Sequence, residues 1–151
     1  MGEETTKIIF RNMTSDDLDF VCNLEAESFH DAWNTCMLEK ELNNDLATYI
    51  IMEANGKKVG YAGFWNVIGE AQVTRVAVSK AERGRGYGML LTQALAEAAW
   101  QLGAEAVTLE VRESNLIAQK TYKKCGFKSV GIRPGYYGDT HEGAVIMWLY
   151  E

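Results

Sequence analysis

A chain of 151 residues with 47% hydrophobic residues, one proline and a formal net charge of −6 is sized for a single domain, residues 1–151, and lacks the basic face that a nucleic-acid binder needs. The longest apolar run, Ala144 to Tyr150, is too short to span a bilayer, and the N-terminus lacks a signal-peptide core, so a soluble cytoplasmic protein with no membrane partner is expected. Cys22, Cys36 and Cys125 are scattered and odd in number, and His30 and His141 lie far apart, so neither a disulfide framework nor a metal centre is expected.

Only Met1 to Thr6 resembles a loose end. Ile8 to Arg11 is expected as a short strand, and Thr14-Ser15-Asp16-Asp17 as the cap of a helix carrying Leu18, Val21, Cys22 and Phe29 on one side. A second short helix follows Trp33, holds Met37, Leu38 and Leu42, and ends near Asn43-Asn44. Strands at Thr48 to Glu53 and Val59 to Val67 flank the hairpin signal Asn55-Gly56, and a turn at Ile68-Gly69-Glu70 leads into a third strand, Ala71 to Val78. Apolar residues recur at helical spacing from Met89 to Leu102, with Gly103 as the stop. The strand that follows, Ala106 to Arg112, is expected to pair in parallel with Val73 to Val78 through a right-handed crossover. A helix from Asn115 to Cys125 and strands at Phe127 to Arg133 and Val145 to Tyr150 complete a mixed sheet with helices on both faces.

Three segments carry chemistry. Arg83-Gly84-Arg85-Gly86-Tyr87-Gly88 turns from strand to helix, where free backbone N–H groups, the helix dipole and two arginines suit a phosphate. It lacks the Lys-Ser/Thr pair of a Walker loop and the spacing of a dinucleotide fingerprint; a glycine-rich turn with a helix cap is the bland alternative. Glu110 lies mid-strand, opposite the face of Leu109 and Val111. It is either in a salt bridge with Arg75 or Arg112, or a general base adjusted by partial burial. Tyr122 lies two helical turns beyond Asn115 and is either packed on the sheet or a proton donor to a thiolate. Cys125, at an apolar helix end before Gly126, reads as a packing residue rather than a nucleophile.

In order and spacing, Arg83-x-x-Gly86-x-Gly88, Leu109-Glu110-Val111-Arg112-x-Ser114-Asn115 and Tyr122-x-x-x-Gly126-Phe127 resemble the GNAT superfamily of acetyl-CoA-dependent N-acetyltransferases. The resemblance covers nearly the whole chain. Within the superfamily, Leu109 to Asn115 is most similar to the signature of the bacterial ribosomal-protein alanine N-acetyltransferases. Arg133-x-x-Tyr136-Tyr137, His141-Glu142-Gly143-Ala144 and Met147 add to it, with Gly143 in place of the usual aspartate. Phe29-His30-Asp31-Ala32-Trp33-Asn34 resembles the loop that lines the acceptor groove, although Ala32 and Asn34 depart from its Pro and Ser. Arg75 stands where the family often has asparagine.

The resemblance implies an α/β fold with a central sheet of about seven strands and a splay between two central parallel strands. It implies acetyl-CoA as co-substrate, its pyrophosphate in the cradle of Arg83, Gly84, Arg85, Gly86, Tyr87, Gly88 and Met89, its pantetheine along Val76-Ala77-Val78, and Asn115 holding it at the splay. It further implies Glu110 as base, Tyr122 as acid, and Trp33, Tyr136 and Tyr137 shaping a groove for a protein N-terminus, that of a ribosomal protein. Other acceptors, a non-catalytic acyl-CoA sensor and a nucleotide-binding regulator are the competing readings. Intact Glu110 and Tyr122 argue against the sensor, and the missing acidic ribose contact argues against the regulator.

Overall fold

Both expected hairpin turns form with their two central residues left-handed, Asn55 at φ 51° and Gly56 at 81°, then Ile68 at 49° and Gly69 at 79°. Such turns match the right-handed twist of the strands they join. The computed structural model describes residues 5–151, so most of the loose end lies outside the described residues. The turns connect β2 (Ala47–Ala54), β3 (Lys57–Val67) and β4 (Glu70–Val78) into an antiparallel meander, and β1 (Ile8–Asn12) pairs along β2. Ile68 is a fully exposed β-branched residue in a conformation that costs an ordinary L-residue about 1–2 kcal/mol. Ile68→Asn is therefore expected to raise Tm by about 3 °C in a thermal melt; a lowered Tm would contradict that strain.

After β1, Asp17 accepts from the Thr14 N–H at 2.9 Å and closes the expected capping box at the entry to α1 (Leu18–Ser28). Asp17 is buried. The Arg11 guanidinium beside it, with help from Lys58, holds its carboxyl well below the usual carboxylate range. In α2 (Thr35–Leu42) the Asn34 side chain caps the Met37 N–H at 2.9 Å.

The second half contains α3 (Tyr87–Gln101), β5 (Ala106–Arg112), α4 (Leu116–Lys124), β6 (Lys128–Arg133) and β7 (Ala144–Tyr150). Seven strands form one sheet in the order β1-β2-β3-β4-β5-β7-β6. One core packs Leu91, Leu95 and Ala99 of α3 on Ile50, Met52, Phe64, Val107, Leu109 and Met147, with Tyr122 of α4 against it. The other, on the opposite face, packs Val21, Leu24 and Leu38 of α1 and α2 on Tyr49, Ile51, Tyr61 and Ala77.

Two features of β4 create the expected splay between the central parallel strands. In β4 the register with β3 slips between Arg75 and Val73, so Thr74 is an extra residue, a β-bulge. The bulge reverses which side chains face α3: Ala71 and Val73 before it, Val76 and Val78 after it. Beyond the bulge the strand bends, and its parallel pairing with β5 is confined to Glu70–Ala106, Ala71–Val107 and Gln72–Thr108. Pairing of Ala106 to Arg112 with Val73 to Val78 therefore does not form. The two strands splay there instead.

Candidate active site

The glycine-rich segment lies at one end of the splay. Gly84 and Gly86 adopt φ 84° and 79°, and the space where a side chain would stand is open. Helix α3 begins at Tyr87, two residues earlier than its apolar periodicity indicates, with Gly86 as N-cap. The intrahelical ladder starts with the Leu90 N–H on Gly86 O, which leaves the N–H groups of Tyr87, Gly88 and Met89 without an intrahelical acceptor. That is the donor set a pyrophosphate requires. Both arginines have partners on the protein: Arg83 Nε donates to Val78 O at 3.2 Å, and Arg85 lies 3.6 Å from Glu82, which Lys57 also contacts at 3.0 Å.

Along the splay, backbone polarity alternates. The Ser79 N–H bonds Val59 O, so Ala77 is the next residue of β4 to face β3, while Val76 and Val78 direct their N–H and C=O groups into the opening. Arg83 on Val78 O agrees with that direction. Of the three residues expected to line the pantetheine, Val76 and Val78 thus offer backbone to a ligand, and Ala77 serves the ladder.

On the other side of the opening, Glu110 of β5 is exposed, while Leu109 and Val111 are buried on the opposite face. It is exposed rather than partly buried as expected. The salt-bridge alternative also fails among the described residues, because both arginines are engaged elsewhere. Arg75 pairs with Glu25. Arg112 holds Asp139 through both terminal nitrogens at 3.0 and 2.9 Å, lies 3.6 Å from Glu142, and covers the Tyr137 ring at 4.0 Å. Arg112 thereby pins the β6–β7 loop over the end of β5.

That loop carries Tyr136 and Tyr137. Burial pushes the Tyr137 phenol up to about 12, with the charges of Glu110 and Glu142 adding and Arg112 opposing. Burial likewise pushes Tyr122 up to about 12, with smaller contributions from Tyr137 and Cys125. Tyr122 packs its ring 5.9 Å from that of Phe127, and Tyr136 lies edge-on to Tyr137 at 5.0 Å. Asn115 is the N-cap of α4 rather than its first residue, its Oδ1 accepting from the Ala118 N–H at 3.1 Å. Its amide N–H groups are what it has left to offer a ligand. Cys125 caps the far end of α4, and burial pushes its thiol up.

Trp33 lies on the α1–α2 loop with its N–H on Glu25 Oε1 at 2.8 Å. Glu25 is wholly buried and also accepts from the Tyr61 hydroxyl and from Arg75. Motif reading missed this carboxylate. Its signal was an acid one helical turn after Val21, on the apolar stripe of α1.

An open-edged β4, a glycine cradle at a helix N-terminus, a carboxylate across the splay and a phenol on the helix that follows are the parts an acyl-CoA-dependent acyl transfer uses. The model of the Acetyltransferase (GNAT) family matches residues 18–127. The chain belongs to this family and is an acetyl-CoA-dependent N-acetyltransferase with the GNAT fold. It is 40% identical over 145 residues, 95% of this chain and 96% of the other, to a proposed ribosomal protein bS18-alanine N-acetyltransferase of Bacillus subtilis (strain 168). The crystal structure of the ribosomal-protein-S18-alanine N-acetyltransferase from Escherichia coli superimposes with a TM-score of 0.85 at 26% identity, covering 95% of this chain and 94% of that one. A spermidine N-acetyltransferase from Vibrio cholerae reaches a TM-score of 0.85 at 16% identity, covering 95% and 93%, a likeness of fold alone. Among the described residues, no group of three or more His, Cys, Asp or Glu is arranged to hold a metal ion, and no helix is long and apolar enough to cross a membrane.

Proposed function

We propose that the enzyme acetylates the α-amine of a protein N-terminus, an N-terminal alanine of a small-subunit ribosomal protein, by direct transfer with both substrates bound. One observation carries the acceptor assignment: 40% identity across essentially the full length of both this chain and a proposed bS18-alanine acetyltransferase. The geometry supports the chemistry. The N–H groups of Tyr87, Gly88 and Met89 bind the pyrophosphate, Arg83 and Arg85 add charge at its edge, and Asn115 donates from its amide. Val76 and Val78 hold the pantetheine amides as an added strand and polarise the thioester carbonyl through backbone N–H.

An N-terminal ammonium, with an ordinary pKa of about 7.7–8.0, must lose a proton before it can attack. Glu110, exposed at the opening and free of an arginine partner among the described residues, takes that proton, directly or through water. As the C–N bond forms and the C–S bond breaks, Tyr122 gives its proton to the departing sulfur. Trp33, Tyr136 and Tyr137 shape the groove for the first residues of the acceptor.

Gly86→Val is expected to raise KM for acetyl-CoA about tenfold with kcat little changed, because a β-branched residue resists the left-handed cap on which the cradle depends. An unchanged KM in a folded variant would remove the cradle from the binding site. For the acceptor, initial rates with an alanine-starting ribosomal-protein peptide are compared with those for spermidine. A kcat/KM favouring the peptide supports the assignment, and preference for spermidine would replace it with a small-amine reading.

A further inference from the structure

Arg75 stands where the α1–α2 loop meets the strand proposed to hold the pantetheine. The bulge at Thr74 turns it to the α1 face of β4, immediately before Val76. Its Nε donates to Glu25 Oε2 at 3.1 Å and its Nη2 to Asp31 O at 3.0 Å, with the Asp31 carboxylate 3.7 Å away. Its guanidinium lies 4.3 Å from the ring centre of Phe29 and 4.2 Å from that of Trp33. Glu25 completes the arrangement by accepting the Trp33 backbone N–H on its other oxygen. Phe29, Asp31 and Trp33 all belong to a segment that forms neither helix nor strand. Charge-assisted bonds and cation–π contacts from one side chain hold it to the sheet.

We propose that Arg75 is a positioning residue for the acceptor: it fixes Trp33 as a wall of the peptide groove from the same strand that offers Val76 and Val78 to the acetyl donor. Both substrates are thereby set relative to one strand. This rests on the groove assignment of the proposed function. Lysine cannot substitute, because an ammonium has neither the planar fork that reaches Glu25 and Asp31 together nor the flat face that lies against two rings.

Arg75→Gln tests it, paired with Arg75→Gln/Glu25→Gln because the single change leaves Glu25 buried without its cation. KM for the alanine peptide is expected to rise about tenfold in both variants, with KM for acetyl-CoA held within about twofold. Thermal stability is expected to recover in the paired variant while peptide KM does not. A peptide KM that returns to the wild-type value along with stability, or a parallel rise in both KM values, would overturn the proposal. Emission of Trp33, read against Trp33→Phe, is expected to shift to the red in both variants without any substrate. If the wild-type enzyme fails to acetylate the peptide, the acceptor assignment is wrong. The Trp33 emission then still decides the role of Arg75, since an unchanged spectrum overturns it.

Discussion

Glu110→Gln is expected to lower kcat/KM for the acceptor peptide by about a hundred- to a thousandfold, with KM for acetyl-CoA unchanged. Glutamine preserves the shape and the hydrogen-bonding oxygen of Glu110 but cannot accept the ammonium proton. The residue is exposed on the face opposite Leu109 and Val111, so the change leaves no buried group unpaired and the fold is expected to hold. The loss is expected to be greatest at low pH. An α-amine with a pKa of about 7.7–8.0 reaches the site increasingly as ammonium as pH falls below that value, and the variant then depends on the shrinking neutral fraction. A pH–rate profile in which variant and wild type fall in parallel, or an unchanged turnover, would rule out Glu110 as the base.

Tyr122→Phe is expected to lower kcat by about ten- to a hundredfold with both KM values little changed. Burial pushes the phenol up to about 12, so it stays protonated through the working pH range. The same shift makes it a weaker acid, which opposes donation to a thiolate with an ordinary pKa of about 8.5. The crevice offsets that difference. Desolvation raises thiols as well, as at Cys125 nearby, so sulfur leaving into the same surroundings is a stronger base than it is in water. Phenylalanine keeps the ring packing against Phe127, so Tm is expected to stay near that of the wild type. A folded variant with full kcat would remove Tyr122 from proton transfer, and loss of folding would favour the packing role.

The parts of this architecture that depend on local chemistry were legible in the sequence. Asn55-Gly56 marks its hairpin because both residues readily take the left-handed conformation the turn requires, Gly69 supplies one of the two left-handed positions of the next turn, and the periodicity of α3 follows from its stripe of Leu91, Leu95 and Ala99. Glu110 also stands out by alternation alone. What depends on non-local geometry was hidden. No local residue pattern marks Thr74 as a bulge, yet that one extra residue bends β4 from β5, turns Arg75 to α1 and opens Val76 and Val78 to a ligand. The pairing of Arg112 with Asp139 was hidden in the same way, since 27 residues separate them and only the closing of β7 onto β5 brings them together.

The resemblance supplied roles for Glu110, Tyr122 and Tyr137, and the fold places Glu110 on β5, Tyr122 on α4 and Tyr137 on the loop between β6 and β7. Arg112 covers the Tyr137 ring and holds its loop in place.

Transfer to an α-amine rather than to a lysine side chain is decided by one peptide with a free N-terminal alanine and an internal lysine. After incubation with enzyme and acetyl-CoA, fragment-ion mass spectrometry locates the acetyl group. Acetylation of the alanine nitrogen, lost in Glu110→Gln, is expected; acetylation of the lysine side chain, or none, would contradict transfer to an α-amine.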